Sequence, residues 1–305
     1  MFIVKNRIIF YTLSIVLFLV SVVSLSVWGL NQGIDFKGGT SIELQPLASV
    51  ASTTTIVSAD VAKAILVKEF SDSTVRAFGE KGFLIKTKEL TVAEETQVKQ
   101  ELTLTLPSYE ISRFDTIGPV LGAELKKKSV SAIVLVLIAI VLFITFAFRQ
   151  VSRPVASWKY GMAAIVALFH DVVIPMGFFS IMAHIYGGYE VDALFVTALL
   201  VVLGFSIHDT IVVFDRVREN LHIGAHKGKN FEEIVGISVS ETFIRSINTS
   251  LTTILALVAV YIWGPETTRN FALALIVGIT AGTYSSIFIG SPLLVTMAGK
   301  NAKSK

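Results

Sequence analysis

Cysteine is absent from all 305 residues, which excludes disulfides and thiolate metal sites. Charge is scarce as well. Asp, Glu, Lys and Arg make up 16% of the chain against 53% apolar residues, a balance outside the soluble range and typical of membrane proteins. The net charge is only +3, and the basic residues gather at the ends of apolar runs, which argues for membrane orientation and against nucleic-acid binding. The glycine-rich stretch at residues 33–40 lacks a Gly-Lys-Ser/Thr ending, so it is not a phosphate cradle for ATP. No nucleophile can be placed beside a base at one membrane depth, so an intramembrane hydrolase is not expected. No cofactor is expected either.

What the chain has is apolar length. Runs at residues 8–30, 130–148, 160–183, 192–215, 244–263 and 272–297 can each cross a hydrocarbon core, which gives six transmembrane helices. The first run follows Lys5 and Arg7, is too long for a signal-peptide core and lacks a small-residue cleavage site, so it reads as a retained helix. Arg149, Arg153 and Lys159, then Arg216, Arg218, Lys227 and Lys229, then Lys300, Lys303 and Lys305 fall on one side. That side, with both termini, is expected to be cytoplasmic. The opposite short loops carry Gly187, Gly188, Glu190 and Asp192, or Glu266 with Arg269. Lys126, Lys127 and Lys128 oppose the rule, but they follow a long outer region, and such regions translocate largely regardless of charge. The expected division is a first helix within 1–30, an outer domain over 31–125, and five helices with cytoplasmic loops over 126–305.

The outer region reads as a small α+β domain. Residues 40–45 alternate Ile42 and Leu44, and Ser58 can cap a helix whose apolar side holds Ala62, Leu66 and Phe70. Residues 74–78 and 83–88 form a hairpin across Gly79 and Gly82. Thr91 and Glu94 form a capping box for a helix running to about 102, Pro107 ends it, and residues 109–114 are the last strand. The order β-α-β-β-α-β is that of a ferredoxin-like sandwich.

Within the spans the exceptional residue is Asp209. A carboxylate in hydrocarbon costs at least ~2.5 kcal/mol, and such residues tend to face a protein interior and to mark ion or proton routes. It lies on the order of 9 Å above the cytoplasmic end of the fourth span at 1.5 Å per residue. Arg245, a few residues into the fifth span and on one face with Thr249, Thr252 and Thr253, is within snorkelling reach. The two form either a static buried ion pair or a titrating site. His208 adjoins Asp209 but points about 100° away around the helix. Asp171 sits with His170 at roughly 18 Å depth, one turn before Pro175. It serves either a relay toward Asp209 or the backbone groups that a proline kink frees. His170, Asp171, His184, His208 and Asp209 span too wide a range of depth to form one metal site, so no metal is expected. Gly278, Gly282, Ser286 and Gly290, each four apart, form a small-residue packing ridge.

Four segments then carry a family resemblance. Gly33-Ile-Asp-Phe-Lys-Gly-Gly-Thr40, with Gly33, Asp35, Gly38 and Gly39, follows the first span, and Ile117-Gly-Pro-Val-Leu-Gly-Ala-Glu-Leu125, with Gly118, Pro119 and Gly122, precedes the second. His170-Asp171 lies in the third, and Gly204-Phe-Ser-Ile-His-Asp-Thr-Ile-Val-Val-Phe-Asp-Arg-Val-Arg-Glu-Asn220, with Asp215 and Arg216, in the fourth. Over essentially the whole chain this resembles SecF members of the SecD/SecF family, in the resistance-nodulation-division superfamily. The resemblance implies a subunit of the bacterial protein-export apparatus in the cytoplasmic membrane, paired with SecD. Such a subunit uses the proton gradient to draw or release polypeptide after the SecYEG channel and its ATPase have begun export. It also implies that Asp209 and Arg245 are tied to proton conduction. Position 208 departs from the family's pattern, with histidine where asparagine is usual, and the loop between the third and fourth spans is slightly long. The alternative is half of a proton-driven small-molecule exporter, against which stands an outer domain too small to wall a ligand tunnel.

Overall fold

The computed structural model describes residues 2–47, 73–79, 81–149, 155–222 and 228–298. In chain order the helices are α1 (Phe2–Lys5), α2 (Arg7–Val27), α3 (Ile34–Lys37), α4 (Val92–Thr105), α5 (Pro119–Ala147), α6 (Ser157–Tyr186), α7 (Ala193–His222) and α8 (Phe231–Trp263). α9 (Glu266–Ser285) passes through a π turn (Ser286–Gly290) into α10 (Ser291–Ala298). The strands are β1 (Gly39–Pro46), β2 (Thr74–Phe78), β3 (Gly82–Thr87) and β4 (Tyr109–Ile117).

Six of these helical stretches are long and apolar enough to cross a membrane: α2, α5, α6, α7, α8 and α9 with its continuation. Two begin well before their apolar runs. α8 starts at Phe231 and not at 244, because Asn230 and Glu233 form a capping box that opens the helix among polar residues. α5 starts at Pro119 and not at 130, with the fixed φ of proline at its first position, so the lysines at 126–128 are helical. α6 runs unbroken through Pro175.

The chain divides into two compact units. One comprises Met1–Asn31, Val130–Tyr189 and Leu194–Lys305; the other comprises Gln32–Ser129 and Glu190–Ala193, reaching beyond the expected 31–125. In the helical unit the close approaches are made by small residues. A Cβ on Gly177 of α6 would lie 2.3 Å from Ser21 Cβ of α2, and one on Gly278 of α9 would lie 2.3 Å from Val202 Cγ2 of α7. One on Gly282 would lie 2.8 Å from Ser206 Cβ, whereas one on Gly290 would meet nothing closer than 3.7 Å. The π turn interrupts the four-residue repeat, so the close seam stops at Gly282. One end of the unit is filled by aromatic rings, with Phe148 stacked on Tyr160 at 5.2 Å and both edge-on to Phe214.

In the other unit the strands lie in the order β2-β3-β1-β4, all neighbours antiparallel. β3 separates β1 from β2 and β1 separates β3 from β4, the interleaving of the split βαβ fold. Gly79, at φ +64°, turns the β2–β3 hairpin. Thr91 caps α4 with both halves of its capping box formed. The two hydrogen bonds from Thr91, backbone first, hold the Glu94 carboxyl below its usual range. Ile42, Leu44, Val75, Phe83 and Ile85 of the sheet bury with Val98 and Leu102 of α4. The helix expected from Ser58, with Ala62, Leu66 and Phe70, lies outside the described residues.

Candidate functional site

α7 buries the face that carries Val202, Ser206, Asp209, Val213 and Val217, three to four residues apart. Asp209 is 3% exposed, in a helix long and apolar enough to cross a membrane. Its carboxyl faces Ser246 and Ser250 of α8. Asp209 Oδ2 and Ser246 Oγ are both buried with no hydrogen-bond partner. Ser250 Oγ donates to the Ser246 carbonyl and meets Thr283 Oγ1 of α9, so hydroxyls from two helices lie on that side of Asp209.

Arg245 lies on a different face. It is exposed and forms no ion pair with Asp209, on which it and His208, also exposed, act only across space. The face bearing Arg245, Thr252 and Leu251 points outward, while Thr242, Ser246 and Ser250, one residue further round, point in. The reason is steric: serines four apart admit a neighbouring backbone, as the glycines of α9 do.

Asp171 is a different kind of carboxylate. It is fully buried, and its Oδ2 accepts from Ser206 of α7 at 2.5 Å and from Ser285 of α9 at 2.7 Å. His170 Nδ1 lies 3.0 Å from Oδ1. Its partners are therefore side chains of two other helices and its neighbour, not backbone groups freed near Pro175. Among the described residues no run of hydrogen bonds joins Asp171 to Asp209. Ser206 and Ser285 escaped the sequence reading, although Ser206 stands in register with Gly282 and Ser285 adjoins the ladder's Ser286. Ser286 Oγ meets Thr210 Oγ1 at 2.8 Å.

At the far end of α7, Arg216 donates to Glu219 at 2.6 Å and to Glu241 of α8 at 2.7 Å, so it is a tie between helices. Asn220 joins Ser238 and the same Glu241. Asp215 pairs with Arg218 on its own helix. His184 stacks on Trp28 at 4.4 Å, away from the other histidines' contacts. No group of three or more His, Asp or Glu able to hold a metal occurs among the described residues.

The glycine segments lie together in the sheet unit. Gly38 and Gly39 have φ of +78° and +127°, which only glycine adopts without strain. A Cβ on Gly38 would also stand 2.9 Å from Pro119 Cα, and one on Gly122 would stand 3.0 Å from Gly38 N. Gly33 N donates to the Val191 carbonyl, and Asp35 Oδ2 accepts from Ala193 N at 2.9 Å.

Six membrane-length helices, a split βαβ unit between the first two, and a carboxylate in each of two spans define a multi-pass transport-type membrane protein. The model for the C-terminal region of SecD/SecF protein export membrane proteins matches residues 97–300, and the model for the SecD/SecF GG motif matches residues 23–46. The chain belongs to the SecD/SecF family of protein export membrane proteins. It is 40% identical to the protein translocase subunit SecF of Thermobaculum terrenum over 98% of this chain and 94% of that one. It is 36% identical to that of Anaerolinea thermophila over 96% and 92%. Among solved structures it resembles SecDF, a translocon-associated membrane protein from Thermus thermophilus, with a TM-score of 0.79 and 31% identity over 96% of this chain. It spans only 38% of that SecDF chain. These relatives favour a protein-export subunit over half of a small-molecule exporter.

Proposed function

We propose that this chain is the SecF-type subunit of the bacterial Sec translocase. It works with SecD in the cytoplasmic membrane, with the sheet unit outside and both termini inside. It uses the proton motive force to help complete polypeptide export through SecYEG. The names of the relatives, the likeness to SecDF and the placement of the basic loops support this reading.

The observation that carries the proton step is Asp209: a buried carboxyl whose Oδ2 has no partner and faces a serine hydroxyl that has none. Protonation turns Oδ2 into a donor for Ser246 Oγ, and loss of the proton reverses that hydrogen bond, so that the serine hydroxyl donates to a charge held in apolar surroundings. The two states therefore favour different packings of α7 against α8. Arg245 and His208 bias the balance through space. One proton crossing 100 mV brings about 2.3 kcal/mol, enough to shift a two-state helix packing substantially. Asp209→Asn keeps volume and hydrogen bonding but cannot cycle charge. In vesicles carrying the assembled translocase, it is expected to abolish the stimulation of export by an imposed proton gradient while the protein inserts at normal levels. Full gradient-stimulated export by the variant would refute the proposal.

A further inference from the structure

The proton step leaves the Gly33–Gly39 segment unused, yet its contacts are specific. Four ties hold the residues just before and at the start of α7 to this part of the chain. Lys86 of β3 pairs with Glu190. Gln32 bridges Val191, and Gly33 N donates to the Val191 carbonyl at 2.9 Å. Asp35 Oδ2 accepts from Ala193 N, the first helical N–H of α7, at 2.9 Å. That N–H is one of four at any helix start with no partner inside the helix, and a carboxylate there also complements the helix dipole. The cap comes from 158 residues away, so it fixes tertiary position as well as helicity.

The same segment holds α5. Gly38 and Gly122 let the two backbones touch, and Pro119 stands against Gly38. The piece thus engages the first turns of two of the six spans, and it directly follows a third, α2. Glu190–Ala193 cluster with the sheet unit, and α7 then runs on sixteen residues from Ala193 to Asp209 with no break in the helix. A helix transmits displacement along its axis because each turn is hydrogen-bonded to the next.

We propose that the Gly33–Gly39 segment is a coupling joint, with Asp35 as the positioning residue that fixes the start of the Asp209 helix to the sheet unit. Movement of the one is then delivered to the other without slack. The joint stays closed throughout the cycle. This rests on the proton reading above and adds the part that connects it to the sheet unit.

Because the chain has no cysteine, the joint can be tested by a single disulfide. A Cβ on Gly33, whose φ of −69° suits any residue, would lie 3.4 Å from Asp192 Cβ, at the short edge of disulfide geometry. Three measurements on the full chain in its assembled complex decide the matter. Asp35→Ala is expected to speed amide exchange at residues 193–195 about five-fold, the loss of a typical side-chain cap, and to lower gradient-stimulated export. Asp35→Asn, which retains an acceptor, is expected to resemble the parent in both. Gly33→Cys/Asp192→Cys added to Asp35→Ala is expected to export better oxidised than reduced, with the sequence held constant.

Unchanged exchange in Asp35→Ala, an equally impaired Asp35→Asn, or an oxidised form no better than its reduced state would each overturn the joint. An oxidised form that blocks export would overturn it too, since the contact would then have to open. Failure of the proton reading looks different: Asp209→Asn would export fully while the exchange and redox results stood.

Discussion

The seam between α7 and α9 makes a numerical prediction. A Cβ on Gly278 would lie 2.3 Å from Val202 Cγ2, 2.9 Å from Cγ1 and 3.1 Å from Cβ. Unstrained carbon pairs sit at about 3.5–4.0 Å, so Gly278→Ala must move a helix or force the valine off its rotamer. Overpacking of this kind costs ~1–3 kcal/mol. Val202→Ala alone loses two γ carbons at about 0.8 kcal/mol each, or roughly 1.6 kcal/mol, here mainly as dispersion because lipid is as apolar as the protein interior. Combined, the two alanines remove both clashing γ carbons and leave one contact that a shift of a few tenths of an ångström relieves. The double variant should therefore be less damaged than the sum, with a coupling of ~1–2 kcal/mol. Gly204→Ala on α7 is the control, since a Cβ there meets nothing within 4 Å and alanine favours the helix. The assay is the thermal unfolding midpoint of the purified chain in detergent for the parent and the four variants. Additivity within about 0.5 kcal/mol, or a Gly278→Ala as mild as Gly204→Ala, would refute the close seam.

Ser285→Ala removes one of two hydroxyl donors to Asp171 Oδ2 and should lower the unfolding midpoint by the equivalent of about 1–3 kcal/mol, with a smaller effect once Asp171→Ala is present. Thr91→Ala should weaken α4 in a pH-dependent way. The Glu94 carboxyl is held below its usual value, so its contribution is complete above the unfolded value of 4.5 and disappears as pH falls through the lowered one. Amide exchange of α4, corrected for intrinsic rates, should separate variant from parent most near neutrality and less in acid, where only the bond from Glu94 N to the threonine hydroxyl is still missed. A gap that is constant with pH would contradict the assignment.

Local patterns in the sequence carried most of the fold. The six spans follow from apolar length, the β2–β3 hairpin from Gly79 and Gly82, and α4 from Thr91 and Glu94, each a signal contained within a few residues. The inward face of α8 was not legible in the same way. In a soluble helix the charged face is the outer one, but in lipid both faces are apolar, and Arg245 with its threonines drew attention away from Thr242, Ser246 and Ser250. The small-residue rule that identified Gly278 and Gly282 applies equally to those serines. The helical starts at Pro119 and Phe231 were hidden for another reason: apolar length measures hydrocarbon crossing, and both helices continue beyond it on capping and proline signals.

Asp171 and Asp209 are the same residue type, each buried in a helix long enough to span a membrane, and only their surroundings separate them. Asp171 has both oxygens engaged, through hydroxyls from α7 and α9 and the imidazole of His170. Adding a proton to Oδ2 would put a hydrogen where two hydroxyls already donate, and at least one contact between helices would have to break or reverse. A group held this way is a tie among α6, α7 and α9. Asp209 instead has its Oδ2 outside any close hydrogen bond and faces the hydroxyl of Ser246, which is not engaged either. This difference is why the proposed proton step is placed at Asp209 and not at Asp171. Asp171 holds Ser206, three residues before Asp209 on the same helix, and so fixes the wall against which that site works.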